Sequence, residues 1–135
     1  MNLIKALMVA ASGMKAQGSR MKVIAENLAN SDSLAKTAGG DPYQRKVLSF
    51  RNELDRASGV SEVKIQGVGT DKAPFPKRFD PGHPAADGEG YVKLPNVNTL
   101  VEMSDMREAQ RSYEANLNLV DAAKSMLART IELLR

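Results

Sequence analysis

Residues 99–135, TLVEMSDMREAQRSYEANLNLVDAAKSMLARTIELLR, decide the fold. Met103, Met106, Gln110, Tyr113, Leu117, Val120, Lys124, Leu127, Ile131 and Leu134 recur at steps of three and four. A period near 3.5 residues is the seam of a helix that packs lengthwise on another helix. Leu119, Ala123, Met126 and Leu133 widen the apolar stripe, so the face suits more than one neighbour. Thr99 and Glu102 have capping-box spacing, which predicts Thr99 as the cap and Glu102 reaching back to it. The predicted helix runs from Leu100 nearly to Arg135, about 50 Å at the usual helical rise.

The other end of the chain has the same character. Leu7, Ala11, Met14, Gly18, Met21, Ala25 and Leu28 alternate four- and three-residue steps, predicting a helix over Leu3–Ala29. Asn2 is placed to cap its start, and Asn30-Ser31-Asp32-Ser33 to stop it. Gly13 and Gly18 each cost about 1 kcal/mol relative to alanine inside a helix. This helix therefore needs packing to persist, and its small residues let a second helix come close.

Between the helices the punctuation changes. All six prolines and eight of the ten glycines fall in the middle segment. Arg45–Phe50, Val60–Gln66 and Gly90–Leu94 read as short strands, and Asp80-Pro-Gly-His83 as a turn. The expected fold class is α+β. Long N- and C-terminal helices (1–30 and 99–135) pair as a coiled coil around a small, β-containing, Pro/Gly-rich middle (31–98). Periodicity alone leaves two readings open. The seams close on each other as a plain hairpin, or they also serve other chains.

Composition excludes much chemistry. The chain has 135 residues, a net charge of +3, no cysteine, no tryptophan and one histidine. Thiolate metal sites, disulfides and cysteine nucleophiles are ruled out. His83 lies between Gly82 and Pro84, a loop setting without a partner pattern for catalysis or metal binding. Gly67-Val-Gly69 lacks the strand–helix context of a phosphate loop, and Asp80 and Asp87 are turn residues. No catalytic, cofactor or metal residue is assigned. Opposite charges are interspersed, unlike the clustered bases of a nucleic-acid binder. No apolar run is long enough for a membrane span. Met1–Ser12 is read as mature sequence, because Ala6–Ala11 is short for a secretory core.

Several blocks carry a family resemblance. They are Ala25-Glu-Asn-Leu-Ala-Asn30, Pro42-Tyr-Gln-Arg-Lys46 with Phe50, Phe79-Asp-Pro-Gly-His-Pro84, and Gly90-Tyr-Val-Lys-Leu-Pro-Asn-Val-Asn98. Glu102-Met103 and Ala109-Gln-Arg-Ser-Tyr-Glu-Ala-Asn116 follow. In this order they resemble the bacterial flagellar axial proteins, and among them the basal-body rod proteins of the FlgC type. The resemblance implies a structural, non-enzymatic subunit of the proximal rod, exported by the flagellar type III apparatus. It implies a hetero-oligomeric helical assembly around the export channel, located in the basal body and spanning the periplasm. The implied partners are other rod subunits, the FliE adaptor and the inner-membrane ring. The expected packing and assembly residues are Leu7, Ala11, Met14, Met21, Ala25, Asn27, Leu28 and Asn30 at one end. At the other they are Met103, Met106, Tyr113, Asn116, Leu117, Val120, Leu127 and Ile131. The rival reading is a cytoplasmic helical adaptor that pairs through the same seams.

Overall fold

The computed structural model describes residues 3–134. Its element order is α1 (Leu3–Ala29), β1 (Lys46–Asp55), β2 (Val60–Thr70), β3 (Lys77–Phe79), β4 (Tyr91–Lys93) and α2 (Thr99–Leu133). Two long helices thus enclose, in sequence, a middle of two small two-stranded sheets, β1-β2 and β3-β4. The residues cluster into two compact units. One comprises residues 1–21, 49–67 and 107–135, and the other residues 22–48 and 68–106.

Local chemistry sets the helix ends. The Asn30 amide donates to the Glu26 carbonyl at 2.8 Å, and the Ser31 hydroxyl donates to the Leu28 carbonyl at 2.9 Å. These bonds satisfy carbonyls that a terminating helix leaves open. At the start of α2 the cap is Asn98, not Thr99. Its Oδ1 accepts from the backbone N–H groups of Leu100 and Val101 at 3.1 and 3.3 Å. The expected reach-back by Glu102 is absent because that carboxylate is buried and bonded elsewhere. Asparagine also ranks above threonine at this position. The capping role expected of Asn2 lies outside the described residues.

In the first unit β1 and β2 form a hairpin, since a four-residue connection permits only antiparallel pairing. Asp55 shapes the turn: its carboxylate accepts from the Ala57 N–H at 3.1 Å and the Ser58 hydroxyl at 2.8 Å. Gly59 sits at φ +66, where a side chain would be strained. Glu53 binds Lys64 across the strands at 2.6 Å and Arg51 along its own strand at 2.6 Å. Those pairs fall in the polar stretch by which β1 outruns its expected end at Phe50. Ser12 Oγ accepts from the Val63 N–H at 3.3 Å, which attaches the hairpin to α1. Gly13 faces Asn116 so closely that a Cβ there would lie 2.9 Å from Nδ2, and Arg20 approaches Glu108 at 3.8 Å. The two helices therefore run in opposite directions in this unit, and a side chain at Gly13 would have to displace the Asn116 amide.

The second unit holds β3 and β4, paired with Lys77 opposite Lys93, Arg78 opposite Val92 and Phe79 opposite Tyr91. β3, three residues set among prolines, was not expected from the sequence. It is held by its partner: Leu94 N–H donates to the Pro76 carbonyl at 2.7 Å and Asp80 N–H to the Gly90 carbonyl at 2.9 Å. Phe79 and Tyr91 meet edge to face at 5.3 Å. Val92 is wholly buried, and Val23, Ile24 and Ala85 are also buried in this unit.

Candidate functional site

The most buried polar groups lie in the second unit. Asn27 and Glu102 are each 1% exposed, a burial that polar side chains tolerate only when hydrogen-bonded. Asn27 has every position filled. Its Oδ1 accepts from the Lys46 N–H and the Tyr43 hydroxyl, both at 2.9 Å. Its amide donates to the Lys46 carbonyl at 2.9 Å and to Glu102 Oε2 at 3.2 Å. Glu102 Oε1 accepts from Arg45 Nε at 2.6 Å. The Arg45 guanidinium also reaches Asp71 at 3.3 Å, and its backbone N–H donates to Asn96 Oδ1 at 2.8 Å. Asn96 in turn donates to the carbonyls of Asp71 and Ala73, each at 3.1 Å.

This node joins the last turn of α1, the lead-in to β1, the segment after β2 and the first turn of α2. Burial alone lowers the Arg45 pKa, but its bonds to Glu102 and Asp71 outweigh that and leave it raised. Nearby, the hydrogen bond from Lys46 holds the Glu26 carboxyl below its usual value. The Asn27 amide and both carboxylate oxygens of Glu102, the buried groups of the node, are bonded within the chain. Its chemistry is that of a clamp that ties four segments of the backbone together. Among the described residues no group of three or more His, Asp or Glu could hold a metal ion.

Partial burial raises the Tyr43 pKa. A raised folded-state value means stability present below the unfolded value and lost as pH rises through the folded one. Tyr43→Phe is accordingly expected to lower stability by about 1 kcal/mol at neutral pH. The deficit relative to the parent should narrow above pH 10, the ordinary tyrosine value. Urea unfolding at neutral and alkaline pH measures both effects.

The helix faces show a second feature. The residues buried within the chain are Ala10, Ala16, Val23, Ile24 and Asn27 on α1, and Glu102, Ala109 and Ala123 on α2. These lines lie about one residue, or 100°, around each helix from the expected seams. Of the expected residues, Asn27 is buried, while Leu7, Met14, Met21, Leu28, Asn30, Met106, Asn116 and Val120 are half-buried. Ala11, Ala25, Met103, Tyr113, Leu117, Leu127 and Ile131 are exposed. Leu117 is 43% and Ile131 65% exposed, and Leu134 reaches 84%. On α2 the buried side chains are small or polar, and Leu117, Leu119, Met126, Leu127 and Ile131 are left exposed. They form an uncovered apolar stripe along α2.

Tyr43, Arg45 and Lys46 had no role assigned from the sequence, and Glu102 only that of reaching back to Thr99. The available signal was their position in the quoted blocks at Pro42–Lys46 and Glu102-Met103.

Comparison with known proteins follows the same division. Residues 7–33 match the family described as flagella basal body rod protein, and residues 89–133 the family described as flagellar basal body rod FlgEFG protein C-terminal. The chain is 49% identical to the flagellar basal-body rod protein FlgC of Agrobacterium fabrum, over 94% of this chain and 91% of that protein. It is 38% identical to the protein of that name in Salmonella typhimurium, over 98% of each. With the one in Bacillus subtilis it shares 36% identity, over 98% of this chain and 99% of the relative.

Proposed function

This chain belongs to the FlgC family of flagellar basal-body rod proteins, and from that premise we propose that it is a structural rod subunit whose exposed helix faces are buried by neighbouring chains. The supporting observation is the mismatch between seams. Leu117, Leu127 and Ile131 have coiled-coil spacing yet are uncovered in the single chain. Other rod subunits cover them, forming a hetero-oligomeric helical assembly around an export channel. Residues 1–30 and 99–135 act as the coiled-coil arms and 31–98 as the connecting outer segment. At the base of the structure the neighbours are the FliE adaptor and the inner-membrane ring, and the rod spans the periplasm. The subunit leaves the cytoplasm through the flagellar type III apparatus largely unfolded and completes folding on assembly. That order suits helices whose large apolar side chains are satisfied only by partners.

Torque is carried by many packed helices rather than by any one residue, so the role requires no catalytic group. The test is a photo-crosslinking residue at Lys15 and, separately, at Asn118, in living cells, with partners identified by mass spectrometry. Other axial subunits are the expected products. Products consisting only of soluble cytoplasmic proteins would replace this reading with that of an adaptor.

A further inference from the structure

β1 has an open edge. It pairs with β2 alone among the described residues, and its backbone hydrogen bonds show which residues face outward. The Arg45 carbonyl accepts from the Asp71 N–H and the Asp55 carbonyl from the Gly59 N–H, so odd-numbered residues turn toward β2 at both ends. Lys46 faces the other way, where its N–H and C=O both bond to the Asn27 side chain. Leu48, Phe50, Asn52 and Leu54 therefore present their N–H and C=O groups on the outer edge. Asn27 closes that edge at Lys46. Beyond it no proline interrupts the strand, and Phe50 and Leu54 are 38% and 58% exposed. Such an edge is a template for another strand. We propose that it pairs antiparallel with β1 of a second copy of the chain, about a twofold axis at Asn52.

The residues of β1 select that occupant and that register. Outward-facing residues must lie opposite outward-facing ones, so the two strands slide past each other in steps of two. Centred on Asn52, the pairing sets each Phe50 opposite a Leu54 and each Arg51 opposite a Glu53. Apolar pairs and opposite charges in these positions stabilise a sheet, and like charges directly opposite destabilise it. A slide of one step sets Arg51 opposite itself, or Glu53 opposite itself. Two steps set Glu53 opposite Asp55, or bring Leu54 to Lys46, whose edge Asn27 occupies. In the favoured register Asp55 lies opposite Ser49 and Arg56 opposite Leu48, so no like charges are directly opposed. Glu53 keeps Lys64 on Oε1 and Arg51 on Oε2, and the second copy brings a further guanidinium to it. A twofold contact closes on itself and does not propagate. It therefore belongs to the chain outside a helical assembly, and it goes beyond the rod-subunit reading without depending on it. Pairing over Phe50–Leu54 makes a small interface, at the weak and transient end of the range.

Sedimentation equilibrium of the purified chain is expected to show monomer and dimer in exchange. Asn52→Pro should weaken the dimer by about tenfold or more with unchanged circular dichroism, because the Asn52 N–H faces outward and takes no part in the β1-β2 ladder. Arg51→Glu should weaken it similarly, by setting carboxylates opposite each other. Should Asn52→Pro unfold the hairpin, Arg51→Glu decides alone. The chain has no cysteine, so Asn52→Cys reports the axis directly. Paired residues there lie about 5.5 Å apart at Cα, within disulfide reach, and mild oxidation should give a covalent dimer. Ser49→Cys is the control. It is also exposed, but its two copies lie about 20 Å apart along the strands and should not cross-link. A chain that stays monomeric up to about 1 mM would overturn the proposal. So would a dimer left intact by Arg51→Glu, or equal cross-linking at the two cysteine positions. A dimer lost only in Leu117→Asp would place the contact on α2 and overturn it as well. None of these results bears on the rod reading, which the photo-crosslinks test.

Discussion

Arg45→Met is expected to lower the stability of the chain by about 3–5 kcal/mol, a large part of a typical domain's total. The substitution keeps most of the side chain's length but removes the charge that faces Glu102 at 2.6 Å. Glu102 is 1% exposed, so water cannot replace the lost partner. One Asn27 N–H remains on the carboxylate, too little to hold a buried charge. Asp71 loses the same guanidinium but is only half-buried, and contributes less. The companion variant Arg45→Met/Glu102→Leu separates charge from shape. A buried ion pair is often replaceable by apolar side chains with little loss, whereas removing one partner is costly. The double variant is therefore expected to recover more than half of the single variant's loss in urea unfolding. Equal loss in both would show that the pair acts through packing.

The node explains why some of the fold was legible in the sequence and some was not. Both long helices could be read because their apolar periods run for many turns without proline. The second strand of the hairpin could be read because Val63-Lys64-Ile65 alternates, although its pairing with β1 could not. β3 could not, since three residues among prolines carry no period and pair only because Tyr91–Lys93 lies alongside. The seam positions were legible but not the face used within the chain. Leu, Met and Ile dominate any reading of periodicity, while Gly13 and Asn116 leave no apolar trace of their close approach. Glu102 read as the capping-box partner of Thr99, a purely local role. Only the fold brings Arg45, fifty-seven residues earlier, against it.

Leu117→Asp should leave the isolated chain folded and abolish its incorporation into the rod. Leu117 is 43% exposed in the single chain, so an aspartate there can remain hydrated. Its effect on stability should stay within about 0.5 kcal/mol, as at ordinary surface sites. In an assembly that covers the stripe, each copy would instead bury an unpaired carboxylate, at a cost of several kcal/mol. Asn118→Asp adds the same charge one residue away, about 100° around the helix, and serves as the control. Two measurements are compared for each variant: thermal unfolding of the purified chain, and swimming in soft agar with the variant as the sole copy. The expected pattern is unchanged unfolding for both, with swimming lost only in Leu117→Asp. Loss of folding in Leu117→Asp would place Leu117 in the chain's own core. Normal swimming would mean that no neighbour covers this part of α2. Hydrogen exchange on the isolated parent chain extends the same logic: the Asn27–Glu102 region should be protected, and the helix stretches around Leu117 and Ile131 should exchange rapidly. Strong protection throughout both helices would instead show that they fold without partners, and that neighbours add the rod but not the fold.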